Sequence, residues 1–142
     1  MTLQKAFVAK KLQEITGYLD EIREFLKFSD EEIVGNSGRI HIAERLLQLV
    51  VDTILDVNQH FIRELGLKAS DDYQGTFYIL GENGILPRQF AQRLAPSVGL
   101  RNRIVHRYET LDKKLFIRTF RKNYPDFETF VKLISQRLEA ME

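Results

Sequence analysis

Cysteine is absent from this chain of 142 residues. That absence removes disulfide frameworks, thiolate nucleophiles and cysteine-ligated zinc together, and it is compatible with a reducing cytosol. Long apolar runs are lacking too. No stretch approaches the ~20 residues needed to cross a bilayer, and the opening MTLQKAFVAKK has no apolar centre of the signal-peptide kind, so a soluble cytoplasmic protein is expected. No segment sustains an alternation of apolar and polar residues between turn signals, which argues against a sheet. Internal repeats and low-complexity tracts are also missing.

The length suits a single domain, spanning residues 1–142, that buries roughly two-thirds of the surface its unfolded form exposes. The formal net charge is only +1, but the charges are unevenly placed. Residues 1–86 carry 9 Lys and Arg against 14 Asp and Glu, and residues 87–142 carry 12 against 6. Between Pro87 and Tyr108 there is no acid, while Arg88, Arg93, Arg101, Arg103 and Arg107 are all present. The run predicts either a cationic patch suited to phosphates or an acidic protein surface, or a solvated arginine-rich helix face.

Helical periodicity runs through the chain. Val8, Leu12, Ile15, Leu19, Ile22 and Leu26 alternate spacings of four and three, which predicts an amphipathic helix over about 4–27. Ser29 and Glu32 form a capping-box pattern, and a second long helix is predicted from about 38 to 65, with an apolar face including Ile42, Leu46, Val50, Leu55 and Ile62. A shorter helix is expected over about 71–82 behind Ser70-Asp71-Asp72. The next, over about 87–109, should be kinked or broken near Pro96 and Gly99. Leu111-Asp112 and Pro125-Asp126 each read as a helix start, the former helix ending near Asn123. The expectation is an all-α bundle of five or six helices, two of them long and antiparallel.

Within it, LRNRIVHRYE at residues 100–109 crowds arginines, a histidine and a tyrosine around few aliphatic residues. On an ideal helix, advancing about 100° per residue, Tyr108 lies about 20° from Arg101, and Leu94, Val98 and Val105 fall near the same direction. Arg101 and Tyr108 therefore share an apolar stripe, and a guanidinium there needs a partner. Asp52 or Asp56, on the second long helix, is placed to supply it. His106 lies about 140° from Arg101, so bringing all three together requires unwinding near His106 or a second subunit. Such a cluster would suit RNA cleavage by the 2′-hydroxyl. Histidine moves protons near neutral pH, an arginine fork fits two phosphate oxygens, and a tyrosine can bond phosphate or stack on a base.

The run Arg101-Asn102-Arg103-Ile104-Val105-His106-Arg107-Tyr108 resembles the signature of the HEPN superfamily of helical ribonucleases: Arg, four to six residues, then His. The fuller RN-x-x-VH-x-Y form is similar to that of HepT-like toxins. The preceding GILPRQFAQRLAPSVGLRN resembles the helix leading into that motif, with Pro96 departing from the pattern, and the order of helices agrees along nearly the whole chain. The resemblance implies a HEPN-like homodimer acting as a metal-independent RNase toxin, with the motif in a cleft between protomers. Arg101 and His106 would be the catalytic pair. Asn102, Arg103, Arg107 and Tyr108 would support the site or bind RNA phosphate. It implies no cofactor, and as partner an MntA-like nucleotidyltransferase antitoxin that transfers AMP onto Tyr108. A different class of function, a non-catalytic helical subunit that holds nucleotide or RNA for such an enzyme, would use Arg101 without proton exchange at His106.

Three other groups merit attention. Asp52, Asp56 and His60 recur at four-residue intervals, as metal ligands on one helix face would, though a polar stripe with local pairs is the simpler reading. Lys114, Arg118, Arg121 and Lys122 share a face that would extend an RNA track or stand in solvent. Tyr73, Phe77 and Tyr78 are expected in the core or a dimer seam, and His41 at the surface.

Overall fold

The computed structural model describes residues 3–106 and 108–141, and among these the secondary structure is helical throughout. In order, the elements are α1 (Lys5–Phe25), α2 (Asp30–Val34), α3 (Ser37–Glu64), α4 (Tyr73–Glu82), α5 (Arg88–Leu94), α6 (Ser97–His106), a 3-10 turn at Tyr108–Thr110, and α7 (Lys113–Ala140). The predicted stripe of α1 is its buried face, with Val8, Leu12, Ile15, Leu19 and Ile22 sealed in the core and Phe25 taking the last turn in place of Leu26. On α3, Ile42 departs from the predicted face and stands exposed.

Local chemistry sets the helix ends. The Ser29 hydroxyl accepts from the Glu32 N–H and the Glu32 carboxylate accepts from the Ser29 N–H, which completes the capping box of α2. The Asp72 carboxylate accepts from the Gly75 N–H and starts α4. Gly66 and Gly84 end α3 and α4 with φ of 67° and 72°, the left-handed conformation that glycine adopts without strain.

Long-range contacts give the topology. Gln4 meets His60 and Lys11 meets Asp56, so α1 and α3 run antiparallel. Tyr124 reaches Leu19 and Arg121 reaches Leu26, which sets α7 antiparallel to α1 as well. Here the structure departs from the expected pair of terminal helices: α7 is one helix of 28 residues running through Pro125. Proline inside a helix costs about 3 kcal/mol. Phe116, Phe120, Phe127, Phe130 and Ile134 are fully buried on both sides of it. At about 1.5–3 kcal/mol for each large apolar side chain, keeping one straight face outweighs the lost hydrogen bond. Three long helices therefore build the core, with α4, α5 and α6 against them.

The proline at position 96 has the opposite outcome. α5 ends at Leu94, α6 begins at Ser97, and the junction closes with tight bonds from Val98 N to Ala95 O at 3.2 Å and from Gly99 N to Pro96 O at 3.0 Å. The break lets Leu94 and Val98 both enter the core while α6 takes its own direction.

His60 ties the start of α1 to α3. Its Nε2 accepts from the Gln4 N–H at 3.1 Å, and its ring stacks on Phe7 with centroids 4.6 Å apart. Burial, then the neighbouring Arg63 charge, lowers its pKa below the ordinary histidine value, against an upward pull from Glu64. A depressed folded-state pKa gives stability that is present above about pH 6.5 and lost as pH falls through the folded value. The melting temperature should therefore drop more steeply between about pH 7 and pH 5 in the wild type than in His60→Gln, which keeps an acceptor without the titration. Parallel melting curves would remove His60 from this role.

Candidate active site

Arg101 is held from two sides. From α6 its Nε donates to Asp52 Oδ1 on α3 at 2.7 Å, and its Nη1 donates to Asn102 Oδ1 at 3.1 Å. The Arg101 side chain keeps only 16% exposure and that of Asp52 37%, so the pair sits at the edge of the core with a face to solvent. This is the partner that a guanidinium on an inward stripe requires. Asp56, the other candidate, pairs with Lys11 at 3.0 Å.

Arg101, Asn102, Arg103 and His106 all line one open depression of about 640 Å3, together with Gly99 and Tyr73. His106 is the last residue of α6 and lines the same open depression as Arg101, although an ideal helix sets the two about 140° apart. Arg107 lies outside the described residues. Tyr108 leaves the expected stripe. It belongs to the 3-10 turn, and its ring stands 6.4 Å from that of the exposed His41 and 5.8 Å from Lys113 Nζ. A 3-10 turn advances by a larger angle per residue than an α-helix, so the α-helical register does not extend to Tyr108. Val105, also assigned to the stripe, is 40% exposed.

The other candidates separate. Asp52 serves Arg101, Asp56 serves Lys11 and His60 serves Gln4, and no group of three acidic, histidine or cysteine residues among the described ones is arranged to hold a metal ion. Arg121 is withdrawn from any RNA track. Its Nε donates to Asp30 Oδ1 at 2.6 Å and its Nη atoms donate to the Leu26 and Phe28 carbonyls, clamping the α1–α2 link, while Lys114, Arg118 and Lys122 remain exposed. Phe77 is in the core, whereas Tyr73 and Tyr78 are exposed.

A family model described as ribonuclease HepT-like matches residues 15–134. The chain belongs to the ribonuclease HepT-like family. Membership makes it an enzyme of the ribonuclease class. A curated relative, the tRNA nuclease HepT of Aphanizomenon flos-aquae, is 29% identical over 140 residues, covering 99% of this chain and 95% of that protein. The mRNA nuclease HepT of Shewanella oneidensis is 23% identical over 125 residues, covering 88% and 86%. Among solved structures, a tri-AMPylated Shewanella oneidensis HEPN toxin in complex with MNT antitoxin superposes with a TM-score of 0.84 at 21% identity, covering 92% of this chain and 97% of that one. The cytosolic protein YutE of Bacillus subtilis gives 0.83 at 18%, covering 96% and 92%. The HEPN-like all-α fold is shared. No helix among the described residues is long and apolar enough to cross a membrane.

Sequence reasoning missed Glu44. It is 5% exposed on α3, one turn after His41, and its Oε2 has no hydrogen-bond partner among the described residues. The signal was available, since an acid between Ala43 and Leu47 falls on the buried face of α3. Burial raises its carboxyl pKa above the ordinary value, opposed by His41, the Tyr108 hydroxyl and Lys113. For a raised pKa the stabilising contribution is present at low pH and is lost as pH rises through the folded value, so ionised Glu44 is a burden at neutrality. Glu44→Gln should melt higher than wild type at about pH 7.5 and the two should converge below about pH 4. A variant that melts lower at neutral pH would show that the carboxylate is fully compensated.

Proposed function

We propose that this chain is a ribonuclease toxin of a toxin–antitoxin pair, that it cleaves RNA with Arg101 and His106, and that AMP transfer to Tyr108 silences it. The observation that carries the reading is the depression shared by a guanidinium fixed on Asp52 and an imidazole at a helix end, in a member of a ribonuclease family. Curated relatives named as tRNA and mRNA nucleases support the substrate class.

Cleavage starts when the 2′-oxygen attacks phosphorus and the bond from phosphorus to the 5′-oxygen breaks. The 2′-hydroxyl loses a proton to a base and the departing 5′-oxygen gains one, leaving a 2′,3′-cyclic phosphate and a free 5′-hydroxyl. Arginine has five N–H donors in a rigid fork. In Arg101 one is committed to Asp52 and one to Asn102, and the remaining N–H groups are left for the phosphate oxygens on which charge develops. His106 moves the proton, and no step calls on a metal ion. One imidazole does not serve as base and acid at the same instant, so a homodimer contributing a second His106 to the cleft completes the set. Exposed Ile42, Val105 and Leu115, on or beside the elements that carry the motif, support an intersubunit face there. Arg103, and Arg107 by its place in the motif, add positive charge for RNA.

The proposed partner is a small nucleotidyltransferase that moves AMP from ATP to the Tyr108 hydroxyl. This reading is supported by the AMPylated toxin in complex with its antitoxin among the structural neighbours. Tyr108 is 37% exposed, so a partner reaches it, and an added phosphodiester brings bulk and negative charge to the end of the motif, next to Lys113. A cytoplasmic setting follows from a substrate and an AMP donor found there.

Unmodified protein should cleave RNA in EDTA to 2′,3′-cyclic phosphate ends, and His106→Ala should be slower by about a hundredfold to ten-thousandfold. Intact RNA with the wild type, its freedom from modification checked by mass, would sink the ribonuclease reading. With the nucleotidyltransferase and ATP, wild type should gain AMP masses and Tyr108→Phe should gain none. Equal labelling of Tyr108→Phe would move the modification to another residue.

A further inference from the structure

Tyr73 opens α4 directly after the Asp72 cap, and its ring is 47% exposed. It lines three adjoining depressions. One holds Arg101, Asn102 and His106. A smaller one, of about 240 Å3, holds Asp52, Asp56 and Arg101. The third, of about 580 Å3, holds Gln59, Ser70, Asp71, Gln74 and Asn102, of which Gln59 and Asn102 also line one of the other two. A ligand lying across these spaces from Arg101 meets the Tyr73 ring.

Charge differs among these depressions. The one shared by Arg101, Arg103 and His106 is lined by cationic side chains without an acid and attracts phosphate, whereas the smaller one also holds Asp52 and Asp56. The depression of about 580 Å3 carries Asp71 and Asp72, which repel phosphate but accept hydrogen bonds from the N–H groups of a nucleobase. Many polar groups nearby are already engaged: Asp72 caps α4, Gln74 donates to the Tyr78 hydroxyl, and Asn102 accepts from Arg101. The side chains of Gln59 and Asp71 form no hydrogen bond with another described residue and line the same space. An exposed aromatic ring that shares these depressions with a fixed arginine and uncommitted acceptors has the elements of a single-strand nucleotide subsite, in which the ring stacks and the acceptors discriminate.

We propose that Tyr73 is the stacking platform for the base adjoining the phosphate held by Arg101, and that Gln59 and Asp71 read the N–H edge of that base. The inference rests on the ribonuclease reading and adds the determinant of its sequence preference. Tyr73 touches the base, not the reacting atoms, so it governs KM and base ranking more than the chemical step.

The test uses the full-length protein with short single-stranded RNAs carrying 2-aminopurine at successive positions, in the His106→Ala background so that the RNA survives. Fluorescence should be quenched at one position, and the quench should persist in Tyr73→Phe and vanish in Tyr73→Leu, with affinity weakened roughly tenfold. With His106 intact, Tyr73→Leu and Asp71→Asn should each reorder the cleavage rates of substrates differing only in that base. Unchanged quenching and affinity in Tyr73→Leu would overturn the proposal. So would an unchanged base ranking in both Tyr73→Leu and Asp71→Asn, and so would a shift of Tyr73→Leu to a smaller oligomer with its ranking intact, which assigns the ring to an intersubunit contact. Wild type that quenches 2-aminopurine but cleaves no RNA would defeat the ribonuclease reading and leave the subsite standing.

Discussion

The ion pair between Arg101 and Asp52 links the two halves of the site. In α6 Val98 is buried and Leu100 and Ile104 pack part-buried against the core, and the ion pair adds a polar tie from the same helix to α3. A hydrogen bond between charged groups at 2.7 Å, with one partner still open to water, contributes on the order of 1–2 kcal/mol, comparable to burying Val98. Its value for function lies in direction. Nε is committed to Asp52 and one Nη1 N–H to Asn102, which fixes the guanidinium at the depression that His106 shares and leaves its other donors uncommitted.

The same pair explains why the uneven charge of the sequence does not scatter the chain. The acid-rich first part and the base-rich second part meet at defined points, Asp52 with Arg101 and Asp30 with Arg121, and each joins an early helix to a late one. The arginine withdrawn into the α1–α2 clamp is structural, and the one at the mouth of the depression retains donors. Similar side chains thus have different fates according to how many partners surround them.

Much of this was legible beforehand because it rests on local rules. The stripe of α1, the Ser29 capping box and the break at Pro96 each follow from a few adjacent residues, whereas α4 starts at Tyr73 behind an Asp72 cap and not at about 71 with acids in its first turn. The partner of Arg101 was narrowed to two acids because a guanidinium on an apolar stripe demands one. What escaped was decided by tertiary context. Pro125 reads as a helix start, yet phenylalanines on either side share one buried face and carry α7 through it. An α-helical angle does not extend to Tyr108, which lies in the 3-10 turn past the end of α6, and Tyr73 reaches the depression only through folding of α4 beside α6. The motif itself was visible from its family resemblance, whereas the packing of His41, Glu44 and Lys113 around its tyrosine was not.

In the proposed mechanism Asp52 acts on the chemistry through Arg101. A double-mutant cycle on RNA cleavage separates that coupling from a merely structural role, with Asp52→Ala and Arg101→Ala made singly and together and oligomeric state matched. Asp52→Ala should lower kcat/KM by about tenfold or more in the wild type and have almost no further effect once Arg101 is gone. An equal loss from Asp52→Ala in both backgrounds would rule out action through Arg101.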